Sequence, residues 1–231
     1  MPDTGLRRSP KFQKGALVQI VPGLVDVEYK IIPFQYNPEN LSHSLTPWNP
    51  FEVDQTQRGA QAPNVQPFDP RESFTLTLEI DATDALEDND PTAVESGIAG
   101  RLAALQMLTL PSEGAQADLV RRARGASGAA GAQAIRPTVP VLLFVWGPGR
   151  ILPVRITSFS VEETLFSPSL FPIQATVSLG LEVLTPDIFS QADEPAKRAI
   201  AAYQFTKQKE NERAEAHINN NVEQIRALLA F

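Results

Sequence analysis

Six carboxylates fall between positions 79 and 90: Glu79, Asp81, Asp84, Glu87, Asp88 and Asp90. Hard divalent cations take several carboxylate oxygens from a tight loop, so the run invites a calcium or magnesium reading. The segment DATDALEDNDP lacks the sharp-turn glycine and the closing glutamate of a helix–loop–helix calcium site. The competing reading is a solvated loop whose charges suit a helix start, and on it no metal is expected. His43 stands between Ser42 and Ser44, which raises nucleophilic catalysis. That chemistry needs a base and an orienting acid brought in from distant segments. The other histidine, His217, lies in a charged C-terminal stretch, so His43 reads as a loop residue. WGPGR (146–150) has the glycines of a phosphate loop but no Lys-Ser/Thr after them, and it sits between two strand patterns; it reads as a hairpin turn. Arg121, Arg122 and Arg124 read as a surface contact on a chain of formal net charge −7.

The chain has no cysteine, which excludes thiol nucleophiles, thiolate metal sites and disulfides. Neither an enzyme constellation nor a cofactor site emerges. The acidic balance argues against nucleic acid as a partner, because phosphate neutralisation needs a basic patch. MPDTGLRRSPKFQKG has early arginines without an apolar stretch behind them, unlike a secretory signal. No apolar run approaches the roughly 18 residues of a membrane span. The expectation is the cytoplasm of the producing cell, with no direct membrane insertion.

The 231 residues suit one domain with an appendage or two small domains. Twenty prolines argue for short strands and turns over a helical bundle. ALVQIV (16–21) and LVDVEYKIIPF (24–34) flank a Pro-Gly turn and predict a hairpin. Residues 37–72 read as a long polar loop, a length that is usually functional. ESFTLTLEID (72–81) places Phe74, Leu76, Leu78 and Ile80 on one face and Ser73, Thr75, Thr77 and Glu79 on the other. Asp90-Pro91 is a helix start. Val94, Ile98, Leu102, Leu105 and Leu108 then predict one amphipathic helix over 91–109. The Gly/Ala/Ser-rich stretch 111–137 reads as a flexible insertion. Strands are predicted over 138–147, 151–166 and 173–184, the last with Ile173, Ala175, Val177, Leu179, Leu181 and Val183 in strict alternation. A helix is predicted from Pro195, with Ile218, Val222, Ile225 and Leu229 as a stripe. Its polar middle leaves it to dock on a partner or stand free. The fold class is thus α+β, mainly β: an antiparallel β-barrel or sandwich of about six strands with one flanking helix and a C-terminal helical tail. The divisions are an arm at 1–14, the β domain at 15–186 and the helical extension at 187–231, whose deletion is expected to leave the β domain folded.

Three blocks carry a resemblance. PFQYNPENLSHSLTPWN resembles the Phe-x-x-Asn-Pro-x-x-(Leu/Tyr)-x-x-Ser segment near the start of contractile injection system tube proteins. FTLTLEIDATDALEDNDPTAVESGIAGRLAAL is similar to that family's strand, turn and helix. PTVPVLLFVWGPGRILPVRITSFSVEETLFSPSLFPIQATVSLGLEVL resembles its closing strands, with a Phe-x-Pro loop. Order and spacing agree over about residues 15–185. The resemblance implies a tube-protein β-barrel and a hexameric ring at the base of the inner tube of a phage-tail-like particle. That ring joins the spike or baseplate hub to the tube and initiates tube assembly, so the implied partners are other copies of the chain, the inner tube protein, and the spike, hub and baseplate proteins. Many relatives carry a LysM-type domain after the last strand, where this chain has its polar tail.

Residues 34–50 are accordingly read as wall and contact between subunits or rings. Asn37 and Pro38 set the corner, and Trp48 and Phe51 are the buried anchors. The alternative is that these aromatics pack on their own domain. Phe166, Phe171, Ile218, Val222, Ile225 and Leu229 complete the candidate contacts. Two other functions stay open: an ordinary inner-tube subunit, which leaves little room for the tail in every layer, and a soluble carbohydrate- or metal-binding β-domain.

Overall fold

The structure is a computed structural model and describes residues 13–22, 27–47, 69–110, 141–189 and 194–220. Among these residues seven strands form one antiparallel sheet: β1 (Ala16–Pro22), β2 (Val27–Pro33), β3 (Leu41–Thr46), β4 (Arg71–Asp81), β5 (Val141–Val145), β6 (Ile151–Phe166) and β7 (Pro172–Val183). The order across the sheet is β2-β1-β5-β6-β7-β4-β3. The fold is mainly β, with the helices α1 (Thr83–Glu87), α2 (Pro91–Ser96), α3 (Ala99–Met107) and α4 (Glu194–Asn220).

Period-two patterning decides the central pair. On β4, Phe74, Leu76, Leu78 and Ile80 are buried, and they stand opposite Leu181, Leu179, Val177 and Ala175 of β7. Each fully buried Val, Leu, Ile or Phe side chain among them contributes about 1.5–3 kcal/mol. The sheet curls. Phe74 on β4 and Phe144 on β5 are separated by β6 and β7, which in a flat sheet would set them roughly 14 Å apart. Their ring centroids are 5.4 Å apart, so the inner faces of the two halves meet in one core. Among the described residues the curl does not close, and β2 and β3 are the edges of the sheet. A bulge between Ile156 and Ser158 helps to bend the strands. It presses on Gly180, where a Cβ would stand 2.3 Å from Ser158 Oγ.

The structure corrects several expectations. The polar passage 37–72 contains β3, LSHSLT, which pairs with β4. Its residues are largely exposed, so the burial that makes a strand legible is absent. His43 is therefore a strand residue and not a loop residue. The single helix over 91–109 is two helices. Gly97 takes φ 56° and the N–H of Ile98 donates to the Pro172 carbonyl at the start of β7 at 2.9 Å. That contact ends α2 and re-aims the chain, which leaves Val94 60% exposed while Ile98, Leu102, Leu105 and Leu108 are buried. The acidic turn holds α1. Asp90 caps α2 as expected, accepting from the N–H groups of Thr92 and Ala93 at 3.0 Å.

Helix α4 begins as a layer of the fold. Ala196, Ala199, Tyr203 and Thr206, spaced at three and four, are buried. Ala202 joins the outer-face cluster of Ala16, Val18, Ile20 and Leu143. The Thr206 hydroxyl, fully buried, accepts from the Ile151 N–H at 2.9 Å and donates to the Ile151 carbonyl at 2.7 Å. From residue 211 to residue 218 every residue is exposed, so the end of the helix projects, tied back by Arg213, which donates to the Pro148 carbonyl of the β5–β6 turn at 2.7 Å.

Candidate functional site

The segment after β2 fastens the molecule near its open seam. Phe34 is buried, and its N–H donates to the Gly15 carbonyl at 2.9 Å. Gly15 must be small, because a Cβ there would meet Phe34 and Trp146 rings at 2.8 Å. The Gln35 amide imitates a strand: its Nε2 donates to the Asp81 carbonyl at 2.7 Å and its Oε1 accepts from the Asp81 N–H at 3.1 Å. Arg101 of α3 also donates to that Oε1. Asn37 Oδ1 accepts from the Gly15 N–H and its Nδ2 donates to the Gln13 carbonyl, both at 2.8 Å. Two side-chain amides thus tie the segment between the edge strands to the residues just before β1 and to the end of β4.

Beside the seam lies a groove of about 480 Å³ between β2, β4 and the α2–α3 pair. Ile31, Pro33, Leu78, Ala82, Ala104 and Leu105 give it apolar walls, with Lys14 and Arg101 among its lining. The cavity is concave, mostly apolar and furnished with a few polar groups, as ligand and peptide sites are.

A second feature is the β6–β7 hairpin tip. Leu165, Phe166, Leu170 and Phe171 are 60%, 50%, 80% and 39% exposed. The tip is built: Ser167 N–H donates to the Phe171 carbonyl at 2.9 Å, Leu170 N–H to the Ser167 carbonyl at 2.9 Å, and Phe171 N–H to Ser167 Oγ at 3.1 Å. Leu165 and Leu170 hold φ of 51° and 64°, a region costly for a branched side chain. Glycine or asparagine would fit this backbone better, so the leucines hold apolar surface in water at a conformational cost.

A third is polar. Glu72 shares the core face of β4 with Phe74 and is 4% exposed. Its Oε2 accepts from Lys207 Nζ of α4 at 2.9 Å. Its Oε1 lies 2.9 Å from His43 Nε2, yet the geometry makes no hydrogen bond and that oxygen is buried without one. The His43 ring stacks on Phe74 with centroids 4.4 Å apart. Burial works against the Lys207 charge, but hydrogen bonds to Glu72 and Glu210 outweigh it and raise the pKa. Burial, reinforced by a 2.8 Å hydrogen bond to Asp69, pushes the Tyr203 phenol well up. This latch fixes α4 to the β3–β4 edge.

The predicted contact residues scatter among these features. Asn37 is exposed but its amide is turned inward to the 13–15 segment, and Pro38 is half-buried next to it. Phe166 and Phe171 meet at the hairpin tip. Ile218 is 59% exposed on the projecting end of α4. Trp48, Phe51, Val222, Ile225 and Leu229 lie outside the described residues, as does the Gly/Ala/Ser stretch 111–137 with the arginine trio ahead of its core. Sequence reasoning missed Gln35, Glu72 and Thr206. Glu72 had a signal, its even spacing from Phe74 and Leu76; Gln35 and Thr206 had none, because both act on a distant backbone. The acidic run forms no metal cluster among the described residues. Asp81 is occupied by Thr83 and Gln174, and the Thr83 hydrogen bond holds its carboxyl below the usual range. No described helix is long and apolar enough to cross a membrane.

No protein-family model matches the chain, and no curated protein matches its sequence.

Proposed function

We propose that this chain is a structural subunit of a contractile injection system, forming a hexameric ring at the base of the inner tube that joins the spike or baseplate hub to the tube and starts tube assembly. The three sequence blocks quoted above are the ground for naming that apparatus. One structural observation supports it. Among the described strands, the antiparallel sheet ends in two edges, β2 and β3. Unpaired edges invite pairing with another chain, and a ring of copies satisfies them. The segment that carries Phe34, Asn37 and Pro38 runs between those two edges, where a subunit boundary would fall.

Helix α4 separates a single adaptor layer from a repeating tube subunit, because a stacked layer must accommodate its projecting end at every level. The apolar groove favours the second reading, a ligand-binding β-domain. Electron microscopy of particles purified through a tag on this protein distinguishes them. One sixfold layer between spike and tube is the expected result. Density repeating along the tube would make the chain a bulk subunit, and monomers alone beside assembled particles would return the ligand-binding reading.

A further inference from the structure

The hairpin tip and the groove are opposite in shape and alike in chemistry. The tip is convex, apolar and exposed. The groove is concave and apolar, and no tip residue lines the groove of its own chain. Pro172 and Ile173, at the foot of the tip, are held by the Ile98 and Ala82 N–H groups at 2.9 Å, which fixes the tip beside its own groove and not in it. Charge agrees. Lys14 and Arg101 at the groove both donate to Gln35 oxygens and form no ion pair among the described residues. Asp90, which also lines it, is committed to the α2 N–H groups, leaving Glu79 as the acid of that lining without a side-chain hydrogen bond among the described residues. Glu162 and Glu163 lie on β6 just before the tip, exposed and on opposite faces of the hairpin, and they too form no ion pair among the described residues. Glu163 is about 10 Å along the strand from Phe166.

We propose that the apolar tip of one copy seats in the groove of the next, with Leu170 and Phe171 against the α3 wall and the Glu162–Glu163 pair reaching Arg101 and Lys14. The inference rests on the ring-forming reading above and names its contact surfaces. Tip and groove are different patches on one chain, so the contact is heterologous and repeats around a ring instead of ending at a dimer. The leucine strain then has a use, because residues held ready in the bound shape lose little freedom on docking.

The absence of cysteine allows a direct test. Leu170→Cys and Ala104→Cys are purified separately, mixed, oxidised and resolved without reductant, both as free chain at high concentration and within tagged particles. The expected product is a covalent dimer joining the two variants, several-fold above what either gives alone. Equal yield from Leu170→Cys by itself would mean tip meets tip, and the absence of a mixed link in both settings would remove the contact; either overturns the proposal. Leu170→Asp, at an exposed site, is expected to keep the thermal melt while lowering self-association at least tenfold, and unchanged self-association would also overturn it. The two readings fail separately. A sixfold layer in particles without the mixed link rejects the contact alone, and a mixed link in a chain that never joins particles rejects the role alone.

Discussion

Glu72 and Lys207 lie 135 residues apart in the chain and 2.9 Å apart in the fold. The carboxylate comes from the core face of β4 and the ammonium from α4, so their pairing joins the sheet to the C-terminal helix. Removing one partner strands the other. Lys207→Met is expected to cost about 3 kcal/mol, because an uncompensated buried carboxylate remains. Replacing both residues by apolar ones is expected to recover much of the loss. Denaturant melts of the two singles and the double read this directly.

Alkali should loosen the same joint. The folded-state pKa values of Lys207 and Tyr203 both lie above their ordinary values of 10.5 and 10.0. Their contribution is therefore whole below about pH 10 and is lost as pH rises through the folded values. Melts between pH 8 and pH 11.5 are expected to be flat at first and then to decline, and Tyr203→Phe should shallow that decline.

Acid acts elsewhere. The folded-state pKa of Asp81 lies below its ordinary value of 3.8. The stability it lends is present above that value and disappears as pH falls through the lower folded one. Asp81→Asn is expected to remove this part of the acid sensitivity by lowering the neutral-pH melt toward the acid value, as thermal melts of the two proteins between pH 2 and pH 7 would report.

Two backbone demands predict sharp intolerance. Gly97 has φ 56° and a Cβ there would stand 2.2 Å from the Pro172 carbonyl oxygen. Gly97→Ala is expected to lose about 2–4 kcal/mol, because it adds both strain and a clash with rigid backbone. Gly100, with open space around it, is the control: Gly100→Ala should be neutral or stabilising by up to about 1 kcal/mol. Parallel thermal melts would separate the two sites.

Truncations should divide α4 in two. Deleting from residue 187 removes Ala196, Ala199, Tyr203 and Thr206 and uncovers the outer face of Ala16, Val18, Ile20 and Leu143. The product is expected to be destabilised or insoluble, contrary to what the sequence alone suggested. Ending the chain at residue 210 is expected to leave the fold intact. Thr206→Val, which keeps the shape and loses two buried backbone hydrogen bonds, should cost about 1–3 kcal/mol.

The strands that were legible in the sequence are those with one buried face. β4 and β7 alternate because their odd and even positions meet different solvents, and both the burial and the register follow. β3 was illegible for the converse reason: an edge strand with little buried surface has no apolar rhythm to read. Its existence depends on backbone pairing with β4, a non-local event. The break in the α2–α3 helix hung on a carbonyl of Pro172, 74 positions after Ile98. The candidate surfaces divided in the same way. Phe166 and Phe171 stood out as aromatics in a short loop, while the groove could not be seen, since its walls come from four separate elements.

The strand order also sets a timetable. β1 pairs with β5, and β4 pairs with β7, so the early strands wait for partners made late in synthesis. β2 and β3, close neighbours in the chain, end at opposite borders of the sheet. A nascent chain that has not yet produced β7 holds two unconnected fragments, β2-β1-β5-β6 and β4-β3, with no shared core between them. Pairings of such long sequence separation form slowly. The edges β2 and β3 are thus made early, whereas the β6–β7 tip, and the groove that needs β2 and β4 brought to one side of the curl, are completed only after β7 has joined the two fragments.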